Sequence, residues 1–339
     1  MSNDHRLSIG RIIHSRGDPW FEDGNIVLVT HENPTAFRLH RGVLARHSEI
    51  FRDMLEFPQP EAKLESHEGC QVVCMYDHPV ELSHLVKALY DGPQFQNRNV
   101  GDFFYLAGIL RLATKYFIAN LRAQAVRFLA QIWSYTLVGH DQMVETALQS
   151  PSVADLSYPY VHPIHVLNLA RETNVSIVIP SAIYFLSLYP LVDILQGDHP
   201  KLKVEHPSKP SSILLSADLE LYTLMYQYRL TLVLHFVHQF CERYISTPCT
   251  PENLCAGRFR RLQLQLIRSW SLRTGPLHYM SQAAQELYRD QNICMMCRSR
   301  FQEDVAELRR NTWEGLPQVI GLPSWSEMQA TDLSVEPPS

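Results

Sequence analysis

The sharpest chemistry in this sequence lies in four cysteines of its C-terminal half. Cys294-Met295-Met296-Cys297 separates two thiols by two residues, a gap that lets both sulfurs reach one tetrahedral metal. Cys249 and Cys255 flank Thr250-Pro251-Glu252-Asn253-Leu254, a wider gap than usual, at the entrance to an expected helix. Together the four form a candidate structural zinc site that would tie the helix starting at Pro251 to the last long helix. Two readings compete with it. In one, Cys255 and Cys297 are small buried hydrophobes of a helix bundle. In the other, Cys294 and Cys297 are a redox pair, although the βαβ surroundings of thioredoxin-like chemistry are missing.

The remaining candidates have plainer explanations. His40 follows a strand and leads a helix with no nucleophile at a motif spacing, so it reads as a structural histidine whose ring bonds the backbone at that corner. His235, His238 and Cys241 stand at i, i+3 and i+6 and drift around a regular helix by about 60° per step. Two of them could share a metal, but the expected reading is a helix with one buried and one wet face. Arg258, Arg260, Arg261, Arg268 and Arg273, interleaved with Phe259 and Trp270 and with Leu262, Leu264, Leu266 and Ile267 among them, suit an amphipathic helix with a solvated basic face. No phosphate-binding glycine loop, dinucleotide fingerprint, nucleophile elbow or His-Glu-x-x-His occurs. No catalytic residue is therefore assigned and no cofactor is expected, a structural zinc at the four cysteines being the one candidate.

The elements that would position these groups fall into two kinds. Asn25–Thr30 and Ala36–His40 are β-rich runs joined by Asn33-Pro34, a hairpin signal, and Gln71–Tyr76 supplies a third strand. Helical stripes run through Val43–Leu55, Leu82–Tyr90, Phe103–Leu110 and Asn120–Trp133, which makes the first part α+β. Beyond about Leu137 only helices are expected: near Pro163–Glu172, Pro180–Leu195, Ala217–Ile245, Pro251–Leu272 and Gly275–Trp313. Residues 198–212, with three prolines among lysines and serines, read as a flexible excursion. The expected organisation is an N-terminal arm at 1–18, a domain at 19–137, an all-helical region at 138–326 and a disordered tail at 327–339. Trp313 and Trp325 are expected to clamp the C-terminal end onto the bundle.

Composition narrows the function classes. The 339 residues allow about two domains, with 45% hydrophobic and 19% charged residues. A formal net charge of −5 argues against an extended phosphate-binding surface, so direct nucleic-acid binding is not expected. Val175–Val192 has no charged side chain, but Pro180, Pro190 and three serines interrupt it, and a buried core helix is expected there, not a membrane span. The polar stretch before Pro19 lacks an apolar signal segment, and seven cysteines do not suit a small disulfide scaffold. An intracellular protein, cytoplasmic or nuclear, is the resulting expectation.

One stretch is more specific than its composition. Asn25-Ile26-Val27-Leu28-Val29, followed by His40, Arg41, Leu44, Ser48, Phe51, Met54 and Leu55 in order, resembles the start of a BTB/POZ domain. Leu85–Gly92, Leu110–Tyr116 and Leu121-Arg122 are similar to its later helices, so the resemblance covers about Trp20 to Trp133. The wording around Trp20–Gly24 and Trp313–Trp325 is similar to BTB-domain proteins of mushroom-forming fungi. Two departures stand out: Asn25 where many members have Asp, and a short polar arm where many dimeric members carry a long, swapped helix.

The resemblance implies a non-enzymatic protein-interaction module that self-associates, as a homodimer for instance, and docks protein partners. Its most concrete form is a substrate adaptor of a cullin-based ubiquitin ligase. In that family the cullin meets a hydrophobic residue two before a Glu, after the helix that here ends at Leu55. The loop here reads Phe57-Pro58-Gln59-Pro60-Glu61, which makes Phe57 and Glu61 the candidate contacts and leaves Gln59 where the spacing wants Glu. The alternatives are a transcription- or chromatin-associated BTB scaffold and a thiol-dependent enzyme using Cys294 and Cys297.

Overall fold

The computed structural model describes residues 14–31, 33–56, 66–246, 249 and 254–333. Strands β1 (Ser15–Arg16), β2 (Ile26–Thr30), β3 (Thr35–Leu39), β4 (Ser66–His67) and β5 (Cys70–Met75) form one mixed sheet in the order β1-β3-β2-β5-β4. The expected hairpin is β2–β3, antiparallel with Leu28 opposite Phe37, and β5 lies parallel to β2. β2 is buried on both faces, as its unbroken Ile-Val-Leu-Val run requires. Ile26 and Leu28 face the helices, whereas Val27 and Val29 pack with Ala36, Cys70 and Trp20 on the other side.

Helices α1 (Arg41–His47), α2 (Glu49–Glu56), α3 (Pro79–Asp91), α4 (Val100–Lys115) and α5 (Ala119–Ile132) complete the first part. Their inner faces, including Leu44, Phe51, Leu82, Leu85, Ile109 and Leu112, bury the sheet. α4 is apolar on two faces and has two cores to fill. Ile109, Leu112 and Ala113 face the sheet, while Phe103, Phe104, Leu106 and Leu110 enter a second core with Trp133, Ile164, Leu167, Ile183 and Trp313. The 137/138 boundary drawn from the change of element type therefore runs through continuous packing.

Helices α6 (Leu137–Gln149), α7 (Pro163–Glu172), α8 (Ile179–Leu186), α9 (Leu191–Gln196) and α10 (Ser216–Leu234) surround that second core. α10 continues through a π-helical turn, His235–Phe240, into α11 (Cys241–Ser246), so the single helix expected over 217–245 is broken in register. α12 (Leu254–Ser269), α13 (Pro276–Arg289) and α14 (Met295–Glu314) follow, and α15 (Leu316–Val319) and α16 (Trp325–Asp332) close the chain. The helix expected over 275–313 divides at Asp290, whose carboxylate accepts the Asn292 N–H and turns the chain. A third core, around Phe236, Phe240, Phe259, Leu262, Met280 and Phe301, holds α10–α14 together. Among the described residues no single helix is long and apolar enough to cross a membrane, and Val175–Val192 contributes α8 to the second core.

Three expectations about irregular segments give way. Residues 198–212 are a packed strap: Leu202 and Ser208 are buried, Lys201 Nζ donates to Pro159 O at 2.5 Å, and the His206 ring stacks on Phe104. Its prolines stop helices, but Asn168 on α7 donates to the Ser211 and Ile213 carbonyls and fixes the path. The expected tail from 327 begins instead within α16, which a Ser324–Glu327 capping box starts. Its Asp332 carboxylate accepts the Ser176 and Ile177 N–H groups, both at 2.7 Å. The end of the expected arm at 1–18 joins the sheet as β1, where Gly17 lies against the Phe37 ring with no room for a Cβ.

Candidate functional site

The residues that carry the family resemblance converge on the corner where β3 enters α1. Tyr90 Oη accepts the His40 backbone N–H at 3.0 Å and lies 3.0 Å from His40 Nδ1. The Tyr90 hydroxyl proton is thus directed at Nδ1, which leaves the ring proton on Nε2, 3.3 Å from the Asp23 carboxylate. That hydrogen bond from His40 is the main cause holding Asp23 below the usual carboxylate range. The ring therefore bonds two side chains, Tyr90 and Asp23, and not the backbone as expected. Asn25 accepts the Arg41 N–H at 2.8 Å through its side-chain oxygen, so an amide caps α1 where the family often has a carboxylate. Arg41 reaches on to Leu55 O at 2.5 Å and ties α1 to the end of α2.

Ser48 is the buried pivot of the same motif. Its hydroxyl donates to Tyr116 O at 2.6 Å and accepts the Phe51 N–H at 3.0 Å, joining α2 to the end of α4. Phe51 stacks on Tyr116 with centroids 4.6 Å apart, and Leu44 and Leu55 are buried beneath while Met54 packs at the edge. Tyr116 Oη donates to the buried Asp77 carboxylate, and burial with that bond pushes the phenol pKa up. The candidate contacts Phe57 and Glu61 lie outside the described residues.

The structure brings together the four cysteines that the sequence separates by up to 48 positions. Their Sγ atoms all lie within 4.8 Å of one another. Cys249 Sγ is 3.3 Å from Cys294 Sγ, 3.4 Å from Cys297 Sγ and 3.7 Å from Cys255 Sγ. α12 delivers Cys255 from its first turn, and α14 delivers Cys297 from its own, with Cys294 as N-cap. Two backbone groups point at sulfur: Cys294 N–H at Cys255 Sγ, 3.3 Å, and Cys297 N–H at Cys294 Sγ, 3.4 Å. The Cys297 N–H is the leading cause that lowers the Cys294 pKa to about 7.

The other candidates do not assemble. His235 and His238 lie in the π-turn, with His238 exposed, and Cys241 opens α11 buried; among the described residues the three do not form a metal-sized group. On α12, Phe259, Leu262 and Leu266 are buried and Arg260, Arg261 and Arg268 are exposed, an amphipathic helix as expected, but Leu264 and Ile267 lie on the exposed face with the arginines. Trp313 and Trp325 stack at 5.4 Å, and Trp325 Nε1 donates to Trp313 O, the expected clamp. A cleft of about 830 Å³ between α6, α8, α12 and α13 has His140 in its wall. Burial among Tyr184, Phe185 and Trp313 holds that ring neutral, its pKa lowered to about 3.

Sequence reasoning missed two devices, one of them recurring. Four His-Pro steps, at His78, His162, His199 and His206, each use Nδ1 to accept the N–H two residues on, at 3.2, 3.3, 3.2 and 3.0 Å. The repeated dipeptide was the available signal. Arg229, fully buried on α10, donates to Ser187 O, Leu272 O and Thr274 O and pins the α12–α13 turn to α8. Nothing local to position 229 announces those partners.

Residues 23–132 match the sequence model of the BTB/POZ domain. No curated protein and no solved structure matches the chain.

Proposed function

Residues 23–132 are a BTB/POZ domain, a protein–protein interaction module, and from that premise we propose that the chain is an adaptor: the BTB domain self-associates or docks a scaffold, and the helical region presents a second surface at a fixed distance. The carrying observation is the seamless join between the two. α4 fills both cores, and its Arg111 bridges Glu81 of α3 at 2.5 Å and Glu172 of α7 at 2.8 Å. Arg122 of α5 adds bonds to the Thr173 and Asn174 carbonyls, both at 3.1 Å. A hinge would let a captured partner wander, whereas this join holds it in one place relative to the docked scaffold.

The most concrete form of this reading is a substrate adaptor of a cullin-based ubiquitin ligase inside the cell. Light scattering on the purified chain reports self-association, and capture by an immobilised cullin reports docking. Binding that a Phe57→Ala, Glu61→Ala double variant weakens by about tenfold or more, equivalent to about 1.4 kcal/mol, supports the ligase role. Failure to bind where an established adaptor binds removes the ligase role. A monomer that also binds no cullin removes both docking modes.

A further inference from the structure

We infer that Cys249, Cys255, Cys294 and Cys297 are the ligands of a closed structural Zn²⁺ site, independent of what the BTB domain docks. One zinc ion about 2.3 Å from each of four sulfurs places those sulfurs about 3.8 Å apart at tetrahedral angles. The separations from Cys249, 3.3, 3.4 and 3.7 Å, are close to that, and all six pairs lie within 4.8 Å. They are too long for a disulfide, which needs about 2.05 Å. They are also too short for a multi-iron cluster, whose ligands surround a core of several atoms and spread apart accordingly. Four sulfur donors at tetrahedral spacing suit zinc and argue against magnesium, calcium and manganese, which prefer oxygen ligands, while metal analysis separates zinc from a single iron.

The surroundings suit thiolates held for a metal. The N–H groups of Cys294 and Cys297 point at sulfur, the outer-shell bonding that orients metal-bound thiolate. Met295 and Met296 between the paired cysteines are 74% and 80% exposed, so the turn sends both sulfurs inward and both thioethers out. The chemistry balances as Zn²⁺ plus four thiols giving a tetrathiolate complex of charge −2 and four released protons. Its structural consequence is a staple. Cys255 opens α12 and Cys294 caps α14, with the whole of α13 in the loop between, so the metal closes the third core at the end where Ile293 and Phe301 pack.

The test is metal analysis of the full chain purified without chelator or added metal. About one zinc per chain is expected, with release tracking titration of the thiols by a mercurial reagent. The double variant Cys255→Ser, Cys297→Ser should lose at least about nine-tenths of that zinc. Because such a variant can misfold, cobalt exchange into the unaltered protein gives a second readout: intense thiolate-to-cobalt absorption with tetrahedral ligand-field bands. A metal-free folded protein with four readily alkylated thiols overturns the site, as does a disulfide among them by mass. Zinc retained in full by the double variant, or cobalt bound without sulfur charge transfer, overturns these ligands. Iron in place of zinc overturns the metal assignment.

Discussion

Ser48 does two jobs with one oxygen, and both partners are buried. Its hydroxyl caps the start of α2 through the Phe51 N–H and holds the Tyr116 carbonyl at the end of α4. Replacing it with Ala leaves a donor and an acceptor unpaired in a site where water has no ready access, at a cost of about 1–3 kcal/mol. Urea unfolding of Ser48→Ala should show the midpoint falling by that free energy divided by the slope, with the slope itself unchanged. An unchanged midpoint would mean the two backbone groups find other partners. At this scale the motif was legible because side-chain types in a fixed local order carried it: His40, Arg41, Leu44, Ser48, Phe51. Their partners were not, since Tyr90 and Tyr116 lie 50 and 68 positions away and chain order carries no distance at that range. The cysteines show both sides of this. The Cys294–Cys297 gap was visible locally, and only the packing of α12 beside α14 brings Cys249 and Cys255 to it.

Long periodic elements were legible, and short or context-dependent ones were not. β1 and β4, two residues each, are strands only because β3 and β5 stand beside them. The strap at 198–212 looked flexible from its prolines, yet histidines and α7 hold it. His199 and His206 cap turns through unprotonated Nδ1, and His165 Nε2 lies 2.9 Å from Ser212 Oγ. Burial lowers the pKa of His165 to about 4 and of His162, beside the strap's His199, to about 2. Both folded values lie below the ordinary value near 6.5, so the unfolded chain binds more protons once pH drops below that point. Their stabilisation is complete above about pH 6.5 and is lost as pH falls, at about 1.4 kcal/mol per unit for each histidine, until the folded value is reached. Thermal melts between pH 7 and pH 5 should show this decline, and His165→Asn should flatten it by one histidine's share. A melting temperature unchanged over that interval would show that these rings are not held neutral by the fold.

At the scale of the whole molecule, the division into an α+β part and a helical part is correct in kind, and packing runs continuously across it. The sequence signals end of strands and onset of helices near 137, and a periodicity argument has no means of knowing that α4 and α5 each have a second face to bury. That face is large: Phe103, Phe104, Leu106, Leu110, Val126, Leu129 and Trp133 all belong to the core completed by α7, α8 and α14. A fragment ending at residue 137 would expose all seven to water, an apolar patch well beyond what monomeric surfaces tolerate, and would cut Arg111 from Glu172. Burying one such side chain is worth about 1.5–3 kcal/mol, so losing most of seven is comparable to the whole usual margin of about 5–15 kcal/mol for a domain. The fragment should aggregate or bind a hydrophobic dye strongly, while the full chain melts cooperatively with little dye binding. A fragment that stays monomeric, excludes dye and melts sharply would show that the BTB domain folds alone, and would remove the rigid join on which the adaptor geometry depends.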